Sequence, residues 1–133
     1  MRKVLVVSIT KLVDEFIQTN NREPNTDEVY DMARWAWHST YADSCSLVFA
    51  CAHGKILEVF ETQEWFTCDV ARLRLELCPH VTPNSSRHSK IQNDINEGTR
   101  KAFIGHVARC SGEYKGKPAP RLYGPIGYVT VEG

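Results

Sequence analysis

Residues 47–60 read LVFACAHGKILEVF, and this stretch decides the architecture. Two apolar runs, Leu47 to Ala52 and Ile56 to Phe60, flank the dipeptide His53-Gly54. Branched and aromatic residues on either side of a glycine that accepts a positive φ spell a β-hairpin with a two-residue turn. Toward the N-terminus, Val4 to Ile9 is a β-branched and aliphatic run, as expected of a strand buried on both faces or lying at a barrel seam. Between these strands, Lys11 to Gln18 sets Leu12, Val13, Phe16 and Ile17 at helical spacing. Thr26 is placed to cap a second helix that carries Asp27 and Glu28 in its first turn and runs to about His38. Its apolar stripe is Val29, Met32, Ala33 and Ala36 or Trp37, which leaves Arg34, Trp35 and His38 near the flank.

Toward the C-terminus, Val70 to Leu77 alternates as a half-buried strand, and Cys78 to Asp94 is a surface loop rich in Pro, Ser, Asn and His. Lys101 to Ala108 and Ile126 to Val131 complete the strands. Between them, Gly112 to Pro125 holds three Gly and three Pro and reads as too turn-rich for a helix. The sum is one α+β domain spanning 1–133: a small curved sheet or β-barrel of about six strands, with helices in the N-terminal third covering one opening. No internal repeat is present.

Composition fits this reading. A chain of 133 residues, 42% hydrophobic and 24% charged, buries enough surface for a core, which excludes disorder, collagen and coiled coil. No apolar run reaches the ~18 residues of a spanning helix, and the segment after Met1-Arg2-Lys3 is too short for a secretory leader, so a cytoplasmic protein with no membrane partner is expected. Five irregularly spaced cysteines (Cys45, Cys51, Cys68, Cys78, Cys110) make no disulfide framework and are read as reduced.

The formal net charge of zero conceals a division. Residues 1–86 hold eight Lys/Arg against twelve Asp/Glu, whereas residues 87–121 hold eight against three. A local excess of positive charge attracts an anionic ligand within a Debye length of about 8–10 Å, and phosphate is the natural partner.

Three stretches carry a family resemblance. They are Asp27-Glu28-Val29-Tyr30-Asp31 leading to Ala33-Arg34-Trp35-Ala36-Trp37; the hairpin from Val48-Phe49-Ala50 through Gly54-Lys55-Ile56-Leu57-Glu58-Val59-Phe60 to Trp65; and Phe103-Ile104-Gly105 followed by Tyr114-Lys115-Gly116-Lys117 and Gly124-Pro125-Ile126-Gly127-Tyr128-Val129. Their order and spacing resemble a bacterial and phage-associated domain that occurs alone or beside nuclease and restriction-type modules. The pattern looks like the PUA-like superfamily, which includes the ASCH, EVE and YTH domains. The resemblance implies a small barrel with helices at one mouth, binding RNA, modified DNA or nucleotides. Where the family pattern often has Asn before the Pro of the last motif, this chain has Gly124.

The candidate nucleic-acid contacts follow. Arg34 and Trp35 pair an arginine fork with an aromatic face, and stacking on a base is worth about 1–3 kcal/mol. Trp35 and Trp37 lie ~200° apart on a helix, so Trp37 is assigned to the core and Trp35 to the surface. Trp65 walls a pocket or closes the barrel. Arg100, Lys101, Lys115, Lys117, Arg121 and Tyr123 interleave cations with aromatics and glycine, the pattern of a phosphate contact. Neither a P-loop nor a Rossmann fingerprint is present, and no cofactor is expected. Cys51-Ala52-His53 and Cys78-Pro79-His80 lack the paired knuckles of a zinc site, and Cys51 is read as a buried apolar residue.

These readings converge on a non-catalytic nucleic-acid-binding module, using the 100–121 segment for phosphate and Trp35 with neighbouring aromatics for a modified or flipped base. Two other classes stay open. One is an enzyme, either a nuclease acting through Glu58, Glu61, Glu64 and Asp69 or a nucleotide-modifying activity using His53 or His106. The other is a phage or defence-related protein whose ligand is a protein or a nucleotide signal.

Overall fold

The computed structural model describes residues 2–34, 44–67, 101–122 and 126–131. In chain order the elements are β1 (Arg2–Ser8), α1 (Thr10–Asn20), α2 (Thr26–Arg34), β2 (Leu47–Ala52), β3 (Lys55–Thr67), β4 (Lys101–Val107), α3 (Ser111–Tyr114) and β5 (Ile126–Val131). The expected strand at Val70–Leu77 and the loop at Cys78–Asp94 lie outside the described residues.

The strands form one mixed sheet in the order β4-β3-β2-β1-β5. β1 and β2 are parallel neighbours joined through α1 and α2, and every other pairing is antiparallel. The fold is α+β as expected, and of the two expected forms, curved sheet or barrel, the barrel is corrected: the described residues form an open five-stranded sheet. The reason is visible in the packing, where each face of the sheet meets its own covering layer, so the apolar surface is buried by layering without closure. On one side Leu5, Val7, Val48, Ala50 and Phe60 pack under α1 and α2 through Phe16, Val29 and Met32. On the other, Val4, Val6, Leu47, Phe49 and Val59 pack under Tyr114, Ala119 and Leu122. β1 and β2 are buried on both faces, as the unbroken aliphatic runs require.

Local chemistry explains the ends of the helices. Asn25, one residue before the expected cap, makes a reciprocal capping box with Glu28: each backbone N–H donates to the other's side chain at 2.9 Å. Thr26 is the first helical residue instead. α1 ends at Asn21, whose φ of 56° lets its N–H return to the Ile17 carbonyl at 2.8 Å.

The hairpin turn has positive φ at both His53 (52°) and Gly54 (76°), the signature of a type I′ turn. Just beyond it the register slips, so that Ile56 faces Cys51 and Glu58 faces Ala50, with Leu57 extra. Ile56 and Val59 consequently join the same layer, while Leu57 and Trp65 pack on the helical side. The bulge thus sets Leu57 and Val59 on opposite sides of the sheet. β3 also runs on to Thr67, placing Trp65 within the strand.

The segment after β4 contains the short helix α3, where a helix-free stretch was expected. It then runs back along the start of β3. Gly116 N–H donates to the Ile56 carbonyl (2.8 Å), Ile56 N–H to the Lys117 carbonyl (2.9 Å), and Ala119 N–H to the Gly54 carbonyl (2.8 Å). Pro118 and Pro120 alternate with these donors, so the missing proline N–H groups cost no bond in this pairing.

Candidate functional site

The segment 116–122 reaches the hairpin turn and forms one wall of a cleft of about 470 Å³. Ser8 and Thr10, at the junction of β1 and α1, line it as well, together with Cys51, Ala52 and Gly54. The cleft thus opens beyond the carboxyl ends of the two parallel strands, the usual place for a ligand in an open sheet with parallel neighbours. Arg121 lines it and brings the positive charge, with Ala119, Pro120 and Leu122 beside it.

The polar wall is ordered by its neighbours. His53 N–H donates to Thr10 Oγ1 at 3.2 Å, and Ser8 Oγ lies 3.4 Å from that same oxygen. His53 Nε2 sits 2.8 Å from Asp14 Oδ1 on α1, which anchors the left-handed turn residue against the helix. The Cys51 thiol, desolvated on the floor, is pushed up to about 12 and stays neutral.

Beside this cleft lies a buried ionic cluster that sequence reasoning missed. Glu58 is only 3% exposed although it sits in a strand among other acidic residues. Ser111 Oγ–H donates to its Oε1, Val59 N–H donates to Oε1 at 3.2 Å, and Lys115 Nζ donates to Oε2 at 3.0 Å. Burial pushes the carboxyl up, but the Ser111 hydroxyl, Lys115 and the Val59 amide together outweigh it and hold the carboxyl below the usual range. Glu61 in turn binds Arg2 at 3.0 Å, with His106 at 3.6 Å. Two carboxylates of the nuclease reading are therefore engaged by this chain's own side chains. The hint available in the sequence was Ser111 and Lys115, four apart and so on one side of a helical turn.

The structure separates the expected contact residues. Arg34 closes α2, paired with Asp31 (3.3 Å) and lying 5.5 Å from the Tyr30 ring centre. Trp65 is half-buried on the same helical side, its indole N–H donating to the Cys45 carbonyl at 3.0 Å and its ring 5.1 Å from Phe103. Lys115, Lys117 and Arg121 belong to the segment that covers the opposite face. Of these, Lys115 is committed to Glu58, Lys117 is exposed, and Arg121 lines the cleft. Lys101 begins β4 opposite Thr67, at the end of β3 far from the hairpin. Trp35, Arg100 and Tyr123 lie outside the described residues.

Among the described residues no three His, Cys, Asp or Glu side chains come together as a metal site, and no helix is long and apolar enough to cross a membrane. No family model, curated protein or solved structure matches this chain.

Proposed function

We propose that this chain is a non-catalytic nucleic-acid-binding module of the PUA-like kind its sequence resembles, holding phosphate in the cleft between Ser8-Thr10 and Arg121. One observation supports the reading: a cation from the basic 100–121 segment is returned, across more than a hundred residues of chain, to line the same open hollow as two hydroxyl side chains. Hydroxyl and guanidinium groups are the common phosphate donors, and Arg121 offers a planar fork suited to bidentate contact. Lys117, on the adjoining stretch, adds long-range attraction. The base-contact role expected of Trp35, which lies outside the described residues, is no part of this cleft reading, and Trp65 enters it only by supporting the helical side.

Anisotropy of labelled single-stranded and duplex oligonucleotides over a series of salt concentrations tests the reading. Affinity should fall steadily with salt, because each phosphate contact releases counterions. Arg121→Glu should weaken binding by about tenfold or more, since it removes one charge-assisted contact and adds repulsion. Binding that ignores both salt and Arg121→Glu points to a different ligand and a different surface.

A further inference from the structure

We infer that Glu58, Ser111 and Lys115 form a latch worked by one proton: the ionised carboxyl holds the α3 turn, and with it the wall of the cleft, on β3, and the protonated carboxyl releases them while the rest of the sheet stays folded. The latch acts on the wall itself, whatever the cleft binds.

α3 is one turn of four residues with Gly112 inside it, too short to persist on its own propensity. Its position therefore comes from what it touches. Glu58 reaches it at both ends: Oε1 accepts from the Ser111 hydroxyl, and Oε2 accepts from Lys115 Nζ at 3.0 Å. Oε1 also accepts from Val59 N–H at 3.2 Å, which ties the carboxyl to its own strand. From Lys115 the chain passes straight into the pairing of 116–119 with 54–56, and from Ala119 to Leu122 it lines the cleft. Latch and wall are consecutive residues, so loosening one loosens the other.

The Lys115 side chain is 53% exposed, whereas Glu58 is buried. A buried carboxylate is tolerated only while donors satisfy it. Among the described residues those donors are Ser111 and Lys115 from the α3 segment and Val59 on β3, and the register partner on β2 is the uncharged Ala50. Protonation spends one acceptor oxygen on a proton of its own and cancels the attraction to Lys115. Because these donors hold the folded carboxyl below its ordinary value, the latch is fully shut above that ordinary value and opens as pH falls through the folded one. β1 and β2 keep their own pairing and their cover of α1 and α2 through Phe16, Val29 and Met32, so the release is local.

Amide hydrogen exchange of the intact protein, followed residue by residue by NMR and expressed as protection relative to the unstructured chain at each pH, tests the latch. The amides of Ile56, Gly116 and Ala119 report the wall, and those of the β1–β2 pairing report the sheet. As pH is lowered, the wall amides should lose protection together by about tenfold or more, the scale of one hydrogen bond to a charged group, while the sheet amides keep theirs. Glu58→Gln, uncharged and of the same shape, should show the released protection already at neutral pH. Ser111→Ala, which removes one donor, should move the parent's transition to higher pH, and it carries the test if Glu58→Gln does not fold. Wall and sheet amides losing protection at one and the same pH would overturn the inference, as would wall protection in Ser111→Ala that matches the parent at every pH.

Discussion

At Gly105 a Cβ would collide with the Glu61 carbonyl across the β3–β4 pairing, where the register slips between Thr62 and Glu64. The same residue's N–H donates to the Tyr30 hydroxyl at 3.0 Å, which ties α2 to β4. Gly105→Ala should therefore cost about 2–3 kcal/mol, the range for forcing extra volume into a packed site, and urea denaturation will measure it. Glu58 makes a second prediction. Its folded carboxyl titrates below its unfolded one, so its contribution to stability is present above the unfolded value and is lost as pH falls through the folded value. Lys115→Met removes one of the groups that hold it low. Acid unfolding followed by circular dichroism should then begin at a higher pH than in the parent chain, and an unchanged midpoint would show that Ser111 and Val59 suffice. Lys115→Glu, which sets two carboxylates face to face, should destabilise the fold and is unsuitable as a test of ligand binding alone.

Among the elements, the capping box of α2 is open to direct measurement. Asn25→Ala removes the side-chain acceptor for Glu28 N–H and should lower stability by about 1 kcal/mol, read as a fall in the melting temperature. Arg22, bound to both Glu28 oxygens at 2.8 and 2.9 Å, is exposed and adds little. The elements were legible in the sequence wherever the signal was local. The aliphatic run of β1, the His53-Gly54 turn and β5 from Ile126 to Val131 follow from residue type and period. What escaped depended on distant partners. The slip after Ala50 is set by how β3 seats on β2, and Glu58, next to the extra residue Leu57, meets Ser111 of α3. The α3 turn forms although Gly112 lies within it and Gly116 just beyond its end, because Ser111 and Lys115 both find Glu58. Tertiary contacts outweighed a poor helical sequence.

Across the whole molecule, the basic C-terminal stretch is contiguous in sequence but divided in space. Lys101 starts β4 at one end of the sheet, while Arg121 is carried to the other by pairing of residues 116–119 with 54–56. Sequence proximity gave the sign of the charge and named Arg121. The partners Ser8 and Thr10 come from the opposite end of the chain, and no spacing rule links them to it. Arg34 and Trp65 likewise sit on the helical side, separated from Arg121 by the thickness of the sheet. A single ligand reaching all of them would have to pass around the sheet, whereas one held in the cleft meets only the carboxyl-end group. The salt dependence should accordingly be shallow, reflecting one or two phosphate contacts, with a slope near −0.7 for each on a single strand.

Backbone amide shifts recorded while a 5′-phosphorylated oligonucleotide is added test this account most directly. The account predicts that Ser8, Thr10, Gly54, Ala119 and Arg121 shift together and saturate at one concentration, with Arg34 and Trp65 left in place. Shifts confined to Arg34, Trp65 and their helical neighbours, with the cleft amides unmoved, would contradict it.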